Sequence, residues 1–124
     1  MQLLLNSAST GTVDVSDTVT VDIPLTKPVL ACGVEEVGAL IEVPAGINAN
    51  VGAQLIYRLW ATDDSQSVGS WNAVSTAVSG PGKVYKEGAV TGSGLYIQLG
   101  LRMTSSSGDQ VARGLLRYPV VVTK

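Results

Sequence analysis

The chain has no histidine, no phenylalanine and a single cysteine, Cys32, among 124 residues. Without histidine there is no Ser–His–Asp triad, no imidazole acid or base, and none of the usual nitrogen ligands for zinc. One cysteine rules out an internal disulfide, on which small exported domains often depend. Cys32 has no neighbouring basic cluster to hold it as a thiolate, and it reads as a small buried hydrophobe. The missing phenylalanine leaves aliphatic side chains, four Tyr and two Trp to fill the interior. Charged residues are scarce, at 15%, against about a quarter of an average globular domain.

Other absences narrow the function. The eight Lys and Arg residues are scattered and the net charge is −2, so no basic patch stands ready to neutralise phosphates, and nucleic acid is not an expected partner. No apolar run approaches the length of a membrane span, and no membrane partner is expected. Met1–Asn6 is too short and has no basic lead for a secretory signal, which implies synthesis in the cytoplasm without a signal peptide. No Gly-x-Ser-x-Gly elbow is present. Gly80-Pro81-Gly82 and Gly92-Ser93-Gly94 lack the strand–loop–helix setting of a phosphate cradle and read as turns. Lys83 and Lys86 fall in what reads as an exposed hairpin, a poor place for a Ser–Lys pair. Glu35 and Glu36 are adjacent in an extended segment, face opposite sides, and cannot together flank a sugar. Asp63-Asp64-Ser65 offers oxygens to a hard cation such as Ca²⁺, but no EF-hand spacing is present and an Asx-type turn is the favoured reading. No catalytic residue, cofactor or metal is assigned, and the expectation is a protein that is not an enzyme.

What the sequence does contain is period-two alternation. Leu95, Ile97, Leu99, Leu101 and Met103 point one way, and Tyr96, Gln98, Gly100 and Arg102 the other, as in a strand with one face in a core. Ala53, Leu55, Tyr57, Leu59 and Ala61 make a second such face, opposed by Gln54, Ile56, Arg58 and Trp60. Val13, Val15, Val19, Val21 and Ile23 alternate with Thr and Asp, with a break near Asp17. Val37, Ala39, Ile41 and Val43 oppose Glu36, Gly38 and Glu42. Toward the C-terminus Ala112, Leu116, Tyr118, Val120 and Val122 are read as sharing one side. Trp71–Ser79 is ambiguous, its Val and Thr favouring a strand over a short helix. Fourteen glycines and several prolines punctuate these runs. The pattern predicts one all-β domain over 1–124: an antiparallel β-sandwich or small barrel, jelly-roll-like or Ig-like, with about seven to nine short strands.

Two features point to protein contacts. If the strands around Arg58 and Tyr96 share a sheet, Arg58, Trp60, Tyr96 and Arg102 lie together on its outer face, and these residue types are enriched at interface hot spots. The competing reading has Arg58 and Arg102 cover Trp60 with their stems and guanidinium planes. The termini are the second feature. Leu3 and Leu5 expose apolar side chains unless they dock, and Val121 follows Pro119 in a β-forming run that implies an edge or a bulge. The bland alternative is that both ends pair within one subunit. The sequence expectation is a structural, self-associating or lattice-binding protein with other protein subunits as partners: a homo-oligomer or a component of a viral shell, as a capsid or decoration subunit incorporated in the virion. A ligand-binding sandwich whose Trp60, Trp71 and Tyr96 stack on carbohydrate is the alternative.

Overall fold

The computed structural model describes residues 2–4, 9–15, 19–26, 28–30, 33–43, 51–60, 69–92, 94–105 and 110–123. Among them the strands are β1 (Gln2–Leu4), β2 (Ser9–Val15), β3 (Val19–Pro24), β4 (Val29–Leu30), β5 (Val34–Val43), β6 (Val51–Trp60), β7 (Asn72–Ser79), β8 (Gly82–Ala89), β9 (Tyr96–Ser105) and β10 (Gln110–Thr123). The described residues contain no helix, and the ambiguous Trp71–Ser79 segment forms β7. The ten segments occupy eight strand positions, within the expected range, because β1 and β2 share one line and β3 and β4 another.

All pairings are antiparallel. One sheet runs β2–β10–β5–β8, with β1 continuing the line of β2 along β10; the other runs β3–β9–β6–β7, with β4 continuing the line of β3 along β9. The chain crosses between the sheets at nearly every connection, and β5 meets β6, β7 meets β8, and β9 meets β10 across the interface. A two-layer antiparallel sandwich of this connectivity is a jelly roll.

The alternating runs explain the layers. Val37, Ala39, Ile41 and Val43 of β5, Ala53, Leu55 and Tyr57 of β6, Ile97, Leu99, Leu101 and Met103 of β9, and Leu116 and Val121 of β10 form one buried cluster. Leu95, expected on the same face as Ile97, is 46% exposed. It lies just ahead of β9, held by its N–H on the Trp60 carbonyl (3.1 Å), where the interior has ended. Tyr57 brings a polar atom into the core. Its hydroxyl accepts from Thr91 N–H (3.0 Å) and lies 3.2 Å from the Thr91 carbonyl oxygen, so the buried phenol is satisfied.

One expected face is corrected. Leu116, Tyr118, Val120 and Val122 do not share a side: Leu116 and Val121 are both fully buried, Val120 and Val122 are half-buried, and Tyr118 is 64% exposed. The register of β10 on β5 jumps between Arg117 and Val120. Tyr118 adopts a left-handed φ of 49°, and Pro119 brings no N–H to a ladder. This bulge reverses the in/out phase of everything after it. It also coincides with the handover from β2, which pairs with Gln110–Leu116, to β1, which pairs with Val120–Val122.

Val121→Ala is expected to destabilise the fold by about 2 kcal/mol, and Val120→Ala by less than about 1 kcal/mol, in urea denaturation. Equal costs at the two positions would contradict the phase reversal.

Candidate functional site

The outer face of the β3–β9–β6–β7 sheet is built from cross-strand pairs. Arg58 lies opposite Gln98, and Trp60 opposite Tyr96. Directly opposed side chains on one face are in contact range, and here they interlock. Trp60 and Tyr96 stack with centroids 6.4 Å apart and planes 18° from parallel. The Arg58 guanidinium lies 5.6 Å from the Trp60 ring centroid and 4.4 Å from that of Trp71, which enters from the segment before β7. Its Nε donates to Gln98 Oε1 (2.8 Å), and Gln98 Nε2 donates to the Thr26 carbonyl (2.7 Å). The result is a row of Trp71, Arg58, Trp60 and Tyr96 fixed in orientation by Gln98.

Trp60 is 5% exposed, so it is the buried member of this row and offers a partner no open ring face. Its buried indole N–H has no hydrogen-bond partner among the described residues, and face contacts hold the ring. Arg58, Trp71 and Tyr96 are half-buried. Arg102, further along the same face, does not reach Trp60. It forms a two-pronged pair with Asp22 on β3, Nε to Oδ1 at 2.7 Å and Nη2 to Oδ2 at 3.2 Å, and this bond to the carboxylate raises its pKa. Cover over Trp60 therefore comes from Arg58 and not from Arg102.

The termini pair with each other inside the subunit. Leu3 in β1 is the backbone partner of Val121, and β10 is hydrogen-bonded by β1 on one side and β5 on the other. Val121 is fully buried: of the two readings of Pro119 the bulge holds and the edge does not, so Val121 belongs to the core and not to an interface. Leu5, Cys32, Asp63, Asp64 and Ser65 lie outside the described residues.

A second surface lies at the lateral edge formed by β7 and β8, and the sequence pattern misses it. In the described residues β7 pairs with β6 alone and β8 with β5 alone. The connection between them is a tight crossing between sheets, with Gly80 at φ 71° and Gly82 at φ 149°, values that suit glycine. It is not a hairpin within one sheet. Nearly all of β8 is exposed or half-exposed on both faces, so no alternation marks it in the sequence. Val84 is 40% and Tyr85 49% exposed. The Tyr85 ring folds back over Gly38, where a Cβ would collide with the phenol oxygen. Its phenol pKa is raised by partial burial, then by the carboxylates of Glu87 and Glu36. On the same outer face Glu42 links three strands, 3.2 Å from Arg117 and 3.8 Å from Lys83.

The described residues hold no group of three or more His, Cys, Asp or Glu placed to bind a metal. A small recess lined by Gly33, Val34, Leu59, Val90, Gly92 and Gly94 contains no titratable side chain. No helix in the described residues is long and apolar enough to cross a membrane.

Arg58→Lys is expected to cost about 1 kcal/mol in chemical denaturation and to shift tryptophan emission, because a lysine loses both the planar stack and the bond to Gln98. A double-mutant cycle on Asp22→Asn and Arg102→Gln should return a coupling of about 0.5–1 kcal/mol, the scale of a partly exposed ion pair. Zero coupling would show the pair to be energetically silent.

No family model matches the chain, and no curated protein matches its sequence. Among solved structures it is similar in fold to a chain of the infectious bursal disease virus Gx strain, with a TM-score of 0.58 and 11% identity over 99% of this chain and 31% of that one. The Gt strain of the same virus gives a TM-score of 0.57 at 12% identity over 94% and 33% of the two chains. The VP2 subviral particle of that virus gives 0.52 at 11% over 99% and 32%. The chain thus spans about a third of the length of these virus chains. At such identities the likeness is one of fold alone: these virus chains contain a β-sandwich of the same general architecture.

Proposed function

We propose that the chain is a non-enzymatic structural subunit that works by associating with other protein subunits, in the first place copies of itself, as a capsid or decoration component of a virion. The observation that carries this reading is the lateral edge, where two eight-residue strands end their sheets unpaired among the described residues and expose Val84 and Tyr85. Exposed strand edges invite pairing with another chain, and soluble monomers normally protect them. The scarcity of charge suits a surface that meets protein. The fold likeness to virus-particle chains supports the same class by analogy of architecture.

The carbohydrate-binding alternative draws on Trp71 and Tyr96. It is weakened by the burial of Trp60 and by Arg58 lying over the Trp71 ring.

Light scattering at micromolar concentration is expected to give a mass above that of one chain, from an interface of about 1,200 Å² or more. A strict monomer would remove self-association and leave only docking on a foreign lattice. Tryptophan fluorescence is expected to stay unchanged against a glycan panel, and saturable quenching by one sugar would favour the binding-module reading.

A further inference from the structure

The direction of the backbone groups along β8 follows from its pairing with β5. Val90 N–H donates to the Glu35 carbonyl (2.9 Å), one step beyond the Glu36–Ala89 pair of an unbroken antiparallel register. Hydrogen-bonded pairs alternate along such a ladder. Val84, Lys86 and Gly88 therefore turn their N–H and C=O groups toward Ile41, Ala39 and Val37. Lys83, Tyr85 and Glu87 turn theirs away from β5, to the open edge. The same parity puts the side chains of Lys83, Tyr85 and Glu87 on the outer face, opposite the inward Val37, Ala39 and Ile41 phase.

We infer that β8 is a two-fold interface: it pairs antiparallel with β8 of a second copy of this chain, with the axis at Tyr85. This rests on the self-association reading above and names the surface that performs it. In this register Tyr85 exchanges both backbone bonds with Tyr85 of the second copy, and Lys83 and Glu87 exchange theirs with Glu87 and Lys83. Every group used is one that β5 leaves free. The side chains agree with the backbone, because Lys83 then stands across from Glu87 on both sides of the axis. Moving the axis to Lys83 or Glu87 sets like charges face to face, and moving it to Val84 or Lys86 removes the Lys83–Glu87 opposition. Charge complementarity therefore selects one register. The ring of Tyr85 does not block the axis, since it lies back over Gly38. Pro81, with no N–H, stops the ladder beyond Gly82. The product is isologous, as two-fold contacts are, and joins two sheets into one.

The register makes a charge-swap test available. Lys83→Glu and Glu87→Lys each place like charges across the axis, twice per dimer. Each variant alone is expected to dimerise at least about tenfold more weakly than the parent chain in sedimentation equilibrium. An equimolar mixture of the two restores opposite charges at both positions and is expected to recover pairing to within about threefold of the parent. The chain carrying both swaps should pair with itself in the same way, and circular dichroism of each variant verifies the fold. If the parent associates but the single variants associate equally well, or the mixture gains nothing, the β8 interface is wrong while self-association stands. A parent chain that stays monomeric overturns both.

Discussion

The inward faces of β5, β6, β9 and β10 exclude water from one aliphatic interior, and the remaining features are arranged around that contact. Burial of such side chains is the dominant favourable term in folding, and here it rests on Val, Leu, Ile and Met with no Phe to widen the layer. Small residues set how closely the sheets approach. A Cβ at Gly114 would press against the Met103 sulfur at 2.8 Å, and one at Gly88 against a Val74 methyl at 2.6 Å. Tyr57 is the aromatic member of the described cluster, and its hydroxyl ties the β8–β9 connection to β6.

The two outer faces are treated differently. On the β9–β6 side Ile56, Trp60, Gln98 and Gly100 are all buried, and Trp60 and Gln98 belong to a cover of stacked and hydrogen-bonded side chains. Thr26 completes that cover. Its hydroxyl accepts from Leu99 N–H (2.9 Å) where the neighbouring strand breaks between β3 and β4, so the broken ladder leaves no orphaned donor. On the β10–β5–β8 side Leu40, Glu42, Leu115 and Arg117 are half-buried, Lys83, Tyr85 and Glu87 are exposed, and ion pairs through Glu42 join the three strands. The first face is a second, smaller packed layer, and the second is an ordinary solvated surface that ends in an open strand.

Much of the fold was legible because burial on one face writes period two into a strand. Ala53, Leu55 and Tyr57, and Ile97, Leu99, Leu101 and Met103, lie in the core where the alternation puts them, although Ile56, Trp60 and Gln98 on the opposite face are buried as well. Legibility failed where the backbone departs from regular pleating. The Tyr118–Pro119 bulge inverts phase within a continuous β-forming run, and no side-chain pattern announces it beyond the proline itself. It failed again at β8, where both faces meet solvent and nothing alternates. Within the aromatic row the pairing of Trp60 with Tyr96 was accessible once both strands were placed in one sheet. The contact between Arg58 and Trp71 depends on how the chain re-enters before β7, which only the tertiary structure supplies.

The two lateral sides of the sandwich are unequal. On one side β10 and β9 are each flanked by two strands in line: β2 gives way to β1 at the bulge of β10, and Thr26 lies between β3 and β4 alongside β9. On the other side β7 and β8 run for eight residues each. A growing fibre needs a template at both margins of every unit, so that each addition recreates the site it consumed. In the two-fold pairing at β8 each copy consumes the other's edge, so that contact closes on itself and recreates no free β8 for a third copy.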